Sequence, residues 1–211
     1  MRWGSEAFAE GGAVRPGAEG AKSGEMVMSI QIYRPDGETG QAPASLAPSP
    51  GSLSGLRIAV LDNGKPNAAF VMTRLARSLA ARAGAEVTVV VKKGPRGESA
   101  NAAIPCDPEM FDRVVAESDI VITGTADCGS CTAYSVYDGI ELEKAGRPAV
   151  VVTTTEFRPI AETMAEHFGL PDLRIVVLPH PIGGTDPGTL SRWADDAVDT
   201  VLALCTRRAA A

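Results

Sequence analysis

The stretch LRIAVLDNGKPNAAFVMTRLARSLAARAGAEVTVVVKK, residues 56–93, decides the fold. Its two ends, LRIAVLD and EVTVVVKK, are short β-branched runs that predict strands. Between them, residues 67–84 place apolar side chains at helical spacing and end on a glycine, and Asn67 is the expected cap of this helix. A strand, a helix and a second strand in this order indicate a βαβ unit with parallel strands.

The same alternation continues along the rest of the chain. Further helices are predicted at 107–118, 132–146, 158–169 and 186–208, and further strands at 119–124, 148–154 and 173–179. These strands are apolar throughout, which is typical of a parallel sheet covered on both faces. The sequence therefore predicts one doubly wound α/β domain over 56–208. We expect a three-layer sandwich around a mainly parallel five-stranded sheet, with the flavodoxin-like strand order 2-1-3-4-5 favoured among Rossmann-like arrangements.

Residues 1–55 have a different composition from the predicted domain. They are rich in Gly, Ala, Ser and Pro, as in GQAPASLAPSPGSLSG at 40–55, and such a segment buries little apolar surface. We interpret them as a mostly irregular N-terminal arm. One alternating segment, at 28–34, predicts a short strand within it.

Composition and charge narrow the classes of function. The chain has 211 residues, a net charge of −6 and no basic cluster, so neither nucleic acid nor an anionic membrane surface is an expected partner. No apolar run approaches the ~20 residues that span a bilayer, and the first residues lack the apolar stretch of a signal peptide. We expect a cytoplasmic protein that acts on a small molecule and that can form a homodimer through an exposed sheet edge or the arm.

The rare residue types gather at the predicted carboxyl ends of the strands, where ligands of such sheets bind. Three of the four cysteines and one of the two histidines lie there. Cys128 and Cys131 follow the third strand as C-G-S-C, Cys106 lies in the long loop after the second, and His180 follows the fifth within LPHP. Cys205, in the last helix, is an expected core residue.

The C-x-x-C pair carries the strongest chemical signal. Where a strand gives way to a helix, unpaired N–H groups and the positive end of the helix dipole favour a thiolate. We predict Cys128, the more exposed thiol, as the nucleophile, with Ser130 donating a hydrogen bond to sulfur. Cys131 would then resolve an adduct on Cys128. In a reducing compartment such a pair is more often catalytic, redox-active or metal-binding than structural.

Other residues at this edge are candidates for binding and proton transfer. His180 can exchange a proton near neutral pH with Cys128 or a leaving group. Zinc held by Cys128, Cys131 and His180 is an alternative, although structural zinc takes four ligands and no metal is predicted. DNGKPN at 62–67 lacks the G-x-G-x-x-G spacing, and nothing indicates a flavin, nicotinamide or haem, so no cofactor is predicted. The predicted substrate-binding residues are Asp62, Asn63, Lys65, Thr125, Ser130 and Thr155.

The motifs together resemble the UGSC-like domain family. The resemblance rests on DCGSCTAYSVYDGIELEKAGRPAVVVTTTEF at 127–157, on LPHP at 178–181 and on LDNGKPNA at 61–68, and it extends over about 56–205. The family is named for a U-G-S-C motif whose first position is selenocysteine in some members. The resemblance implies that Cys128, at that position, is the reactive atom.

Three functions remain open from the sequence. The first is a thiol oxidoreductase in which Cys128 attacks a soft electrophile and Cys131 resolves the adduct as a disulfide. The second is a non-redox lyase, hydrolase or isomerase of a small acid, with Cys128 as nucleophile and His180 as acid or base. The third is a binding or sensor domain, with a metal ion as one candidate ligand.

Overall fold

The computed structural model describes residues 43–94 and 101–207. Five strands and six helices lie entirely within these ranges. In chain order they are β1 (Arg57–Asp62), α1 (Ala68–Ala83), β2 (Glu86–Lys92), α2 (Pro108–Glu117), β3 (Ile120–Ala126), α3 (Gly129–Lys144), β4 (Ala149–Thr154), α4 (Arg158–His167), β5 (Ile175–Leu178), α5 (Pro187–Asp196) and α6 (Val198–Thr206).

The five strands form one sheet with the order β2-β1-β3-β4-β5. Every neighbouring pair is parallel. This confirms the predicted α/β class and, for the described residues, a parallel sheet of five strands in the flavodoxin-like order. Because all strands run the same way, their carboxyl ends lie at one edge, and the loops after β1, β3, β4 and β5 meet there.

Alternation along the strands builds the two apolar layers. In β1, Ile58 and Val60 join the core formed with α1, α5 and α6, whereas Ala59 and Leu61 join the core on the side of α2 and α3. A third cluster packs α3 and α4 against β3 and β4. The predicted three-layer sandwich follows directly from this period of two. No helix in the described part of the chain combines the length and apolarity needed to cross a bilayer.

Three predicted local features differ in the structure. Asn67 stands at the start of α1 with φ 65°, but its side chain does not cap the helix. Its amide instead donates to the carbonyls of Ile182 (2.9 Å) and Thr185 (3.0 Å), tying the loop after β5 to α1. The closing helix is two helices, α5 and α6, interrupted at Ala197. Helix α3 begins at Gly129, three residues earlier than predicted, so its first turn contains Cys131.

The predicted strand at 28–34 lies outside the described residues. Residues 43–55 form neither helix nor strand, yet two polar groups of the domain hold part of this segment in place. Glu143 accepts a hydrogen bond from Ala47 N at 2.7 Å and is ion-paired with Arg174. Arg174 in turn donates to Ala47 O (3.0 Å) and Ser49 Oγ (2.7 Å). Both charged side chains are buried.

We predict that Gly139→Ala destabilises the fold. A Cβ at Gly139 would lie 2.6 Å from Val151 Cγ2 of β4, so α3 would be pushed from the sheet. Overpacking of this kind costs about 1–3 kcal/mol, more than the ~1 kcal/mol that alanine gains over glycine within a helix. Urea denaturation followed by circular dichroism measures the change. Gly129→Ala, on the same helix with no atom within 4 Å of the added Cβ, is the control and should be near neutral. An unchanged or higher midpoint for Gly139→Ala would contradict the prediction.

Candidate active site

The two cysteines of C-G-S-C stand where β3 passes into α3. Cys128 is the residue before the helix, in an extended conformation with φ −155°, and its carbonyl accepts a hydrogen bond from Thr132 N at 2.9 Å. Cys131 lies in the first turn, and the two Cα atoms are 5.5 Å apart. The two sulfur atoms are joined in a disulfide. The pair is thus local to one turn and needs no movement of the sheet to open or close.

The two thiol positions differ in their access to solvent. Cys131 is fully buried, at 0% exposure, whereas Cys128 is half-buried and is followed by the exposed residues Gly129 and Ser130. Cys128 is therefore the more exposed of the two, as the sequence predicts. Among the described residues, the hydroxyl of Ser130 makes no hydrogen bond to either sulfur in this disulfide form. A reagent from solution meets Cys128 first.

The loop after β1 holds the end of β3 through buried hydrogen bonds. Asn63, 1% exposed, donates from its amide to Thr125 O at 2.8 Å, and its own N–H donates to Gly124 O at 3.1 Å. Asp62 is also buried and accepts a hydrogen bond from Gly64 N at 2.9 Å. Both residues were predicted to orient a ligand. In the structure, the polar atoms of Asn63 hold the backbone that carries the cysteines.

Thr125 and Lys65 have polar groups that the described residues leave without partners. The hydroxyl of Thr125 is buried and makes no hydrogen bond within the described part of the chain. Such a group costs about 1–3 kcal/mol unless a water or a ligand satisfies it. Lys65 is half-buried, and no hydrogen bond or ion pair of its ammonium occurs among the described residues. Thr155 is exposed at the same edge, with its N–H donated to Leu178 O at 2.9 Å.

His180 is held by the fourth strand, not by a cysteine. It is exposed, and its Nδ1 lies 3.1 Å from the hydroxyl of Thr154 at the end of β4. The ring of Phe157 packs beside it, with centroids 5.6 Å apart. In the described part of the chain, no hydrogen bond joins His180 to either sulfur. The sequence did not single out Thr154, although its place at a strand end was a usable signal.

The structure also changes the membership of the candidate metal cluster. The ligand atoms that all lie within 4.8 Å of one another belong to Asp127, Cys128 and Cys131. His180, which the sequence placed in this set, is not part of it. Asp127 precedes Cys128 directly, and its Oδ1 lies 3.8 Å from the sulfur of Cys131. This carboxylate was not among the site residues predicted from the sequence.

A second polar cluster, of which the sequence singled out only Cys106, lies against α3 further from its start. Lys93 and Asp138 form an ion pair of 2.8 Å with side chains 1% and 2% exposed. Asp138 also accepts a hydrogen bond from Cys106 N at 2.8 Å, and the Lys93 ammonium lies 5.9 Å from the ring centroid of Tyr134. Burial raises the pKa of the Asp138 carboxyl, which the paired ammonium opposes. The buried side of α3 also carries Thr132, Ser135 and Glu143, so the sequence pattern did not distinguish Asp138.

Cys106 and Cys205 are surrounded very differently from the C-x-x-C pair. Burial first, and the Asp138 charge second, raise the pKa of the half-buried Cys106 thiol far above its ordinary value. Burial raises the pKa of Cys205, in α6, to about 12. Cys205 is a fully buried core residue, as predicted. Neither thiol is set up to ionise near neutral pH, which leaves Cys128 as the reactive candidate.

The fold and the site define a doubly wound α/β protein with a C-x-x-C pair at the carboxyl edge of its sheet. The chain belongs to the UGSC family, whose family model matches residues 31–207. The match begins 25 residues before position 56, where the resemblance in the motifs begins. It therefore includes the segment of 43–55 that is held by Glu143 and Arg174.

Comparisons with individual proteins add little to this assignment. No curated protein matches the chain. A similar solved structure is the translation elongation factor SelB from Methanococcus maripaludis in complex with the GTP analogue GppNHp. It shows 11% identity and a TM-score of 0.39, over 76% of this chain and 36% of that chain. At this level of similarity no function is transferred.

We predict that, in the reduced native protein, iodoacetamide modifies Cys128 first. At about pH 6, Cys106 and Cys205 should react at least ~100-fold more slowly, because thiolate is the attacking species and burial keeps both protonated. Their rates should rise only in strongly alkaline solution, as pH approaches their raised pKa values. Peptide mass spectrometry over time measures each site. Equal rates at the three positions would contradict an activated Cys128.

Proposed function

We propose that this protein is a thiol oxidoreductase that acts on a small molecule through Cys128 and Cys131. The observation that carries the proposal is the disulfide between a half-buried Cys128 and a fully buried Cys131 at the start of α3. One sulfur is reachable from solution and the other is within bonding reach behind it. This is the arrangement that a nucleophile and a resolving thiol require.

The reaction would proceed in two exchanges. The Cys128 thiolate attacks one sulfur of a substrate disulfide, forming a mixed disulfide and releasing the first substrate thiolate. The Cys131 thiolate then attacks the Cys128 sulfur, closing the protein disulfide and releasing the second thiolate. The substrate gains two electrons and, with two protons, becomes two thiols, while the protein dithiol is oxidised. A low-molecular-weight thiol or a dithiol would return the protein to its reduced form, consistent with the cytoplasmic location that we propose.

The start of α3 supports the nucleophile. Its first N–H groups have no acceptor within the helix, and the helix dipole adds positive potential there, so a thiolate at Cys128 is favoured over an ordinary exposed thiol. Asn63 supports this position through its hydrogen bond to Thr125 O, three residues before Cys128. Lys65 adds a half-buried cation at the same sheet edge, without a partner for its ammonium among the described residues, and this suits a substrate with a carboxylate or phosphate group.

The non-redox alternative would use His180 as acid or base towards Cys128. The contact of His180 is with Thr154 instead, so this alternative would require a substrate that bridges the two residues. It would also leave the resolving position of Cys131 without a role. These points favour redox chemistry over a lyase or hydrolase reaction.

We predict that Cys131→Ser traps the mixed disulfide on Cys128. With a chromogenic aromatic disulfide, the reduced wild-type pair should release two aromatic thiolates, whereas Cys131→Ser should release one and retain the other as an adduct found by intact mass. Cys128→Ser should lower the rate on the order of 10³-fold or more, as expected for loss of a nucleophile. Cys106→Ser is the matched control and should behave as wild type.

The same variants separate the two reactions. If Cys131→Ser keeps full catalytic turnover while Cys128→Ser is inactive, the reaction uses no resolving thiol. The hypothesis of a lyase or hydrolase then replaces the proposal. If both variants react as fast as wild type, the pair has no role in turnover at all. Loss of turnover in Cys131→Ser together with a retained adduct supports the redox proposal.

A further inference from the structure

The carboxylate beside the cysteine pair points to a second use of the reduced site. Asp127 is half-buried and directly precedes Cys128, and its Oδ1 is 3.8 Å from Cys131 Sγ. All three ligand atoms of Asp127, Cys128 and Cys131 lie within 4.8 Å of one another. No other group of three or more His, Cys, Asp or Glu ligand atoms comes together in this way in the described part of the chain. Two thiolates and a carboxylate are a ligand set that zinc accepts.

The spacing fits tetrahedral coordination once the disulfide is reduced. With Zn–S near 2.3 Å and Zn–O near 2.0 Å, the tetrahedral angle separates a sulfur and an oxygen ligand by about 3.5 Å and two sulfurs by about 3.8 Å. The observed 3.8 Å between Asp127 Oδ1 and Cys131 Sγ is already close to the first value. The Cα atoms of the two cysteines are 5.5 Å apart, so rotation of their side chains suffices to reach the second.

The net charge of the complex and the solvent access of the three ligands also suit a zinc ion. A zinc ion with two thiolates and one carboxylate carries a net charge of −1, and the start of α3 stabilises negative charge. Cys131 is fully buried, while Asp127 and Cys128 are half-buried, so the cluster is closed behind and open in front. Three protein ligands with an open fourth position are typical of zinc sites that exchange a water or a substrate.

We infer that the reduced protein binds one zinc ion through Asp127, Cys128 and Cys131, and that the disulfide form cannot bind it. Binding releases the protons of the two thiols. Oxidation of the zinc-bound pair by a disulfide joins the two sulfurs, frees the Zn²⁺ ion and, with two protons, yields two thiols from the oxidant. The oxidation state of the pair would therefore decide whether the protein holds the metal.

Zinc titration of the full chain, against a chromogenic chelator, tests this directly. The phosphine-reduced wild type should bind one zinc and the oxidised protein none. Asp127→Asn, which keeps the shape of the side chain, should weaken binding by at least the roughly 10- to 100-fold that losing even an outer partner of a ligand costs. Asp127→Asn should still form the disulfide on oxidation, as thiol counting would show. His180→Ala and Cys106→Ser should bind zinc as wild type does.

Several outcomes would overturn the inference: no zinc on the reduced protein, zinc retained by the oxidised protein, unchanged affinity in Asp127→Asn, or loss of binding in His180→Ala. If Asp127→Asn does not fold, X-ray absorption of the wild-type zinc protein decides. Two sulfurs with lighter O or N ligands support the site, whereas a single sulfur ligand overturns it. Zinc binding without thiol turnover would overturn the proposed function alone, and turnover without zinc binding would overturn this inference alone.

Discussion

The hydrogen bond from the Asn63 amide to Thr125 O is the contact on which the site depends most. It joins the loop after β1 to the last residues of β3, across two strands that are already paired in the sheet. Because Asn63 is almost fully buried, water does not compete for this bond. The short segment from Thr125 to Cys128 is therefore fixed before α3 begins, and the positions of both sulfurs follow from it.

Contacts further from the segment of Thr125 to Cys128 fix the helices and loops around it. Gly139 allows α3 to lie close on β4, and the buried ion pair of Lys93 and Asp138 joins the residue that follows β2 to the same helix. On the opposite face, Asn67 joins the start of α1 to the loop after β5. The loops at the carboxyl edge are thus tied to one another by polar contacts while the two apolar layers hold the sheet.

The sequence predicted most of the fold because its evidence is local and periodic. Apolar strands alternating with amphipathic helices specify parallel pairing, and the C-x-x-C spacing places both cysteines on one turn. Contacts between distant loops have no such periodic signature. The partners of Asn67, Asp138 and His180 are distant in sequence and come together only in the folded chain. The sequence therefore could not predict that Asn67 leaves the helix uncapped, that Asp138 pairs with Lys93, or that His180 contacts Thr154. Asp127 was adjacent to the motif but is an unremarkable residue type there.

The ion pair of Glu143 and Arg174, with its hydrogen bonds to Ala47 and Ser49, indicates which residues before β1 belong to the domain. Both are buried at the amino edge of the sheet and bind the backbone of Ala47, at the opposite end of α3 from Cys128 and Cys131. A shortened protein starting at Leu56 would leave the carboxylate without one amide donor and the guanidinium without two acceptors. Buried charges stripped of partners are costly, so the segment that carries Ala47 and Ser49 belongs to the folded domain although most of its residues lie at the surface. A stable shortened protein must retain it.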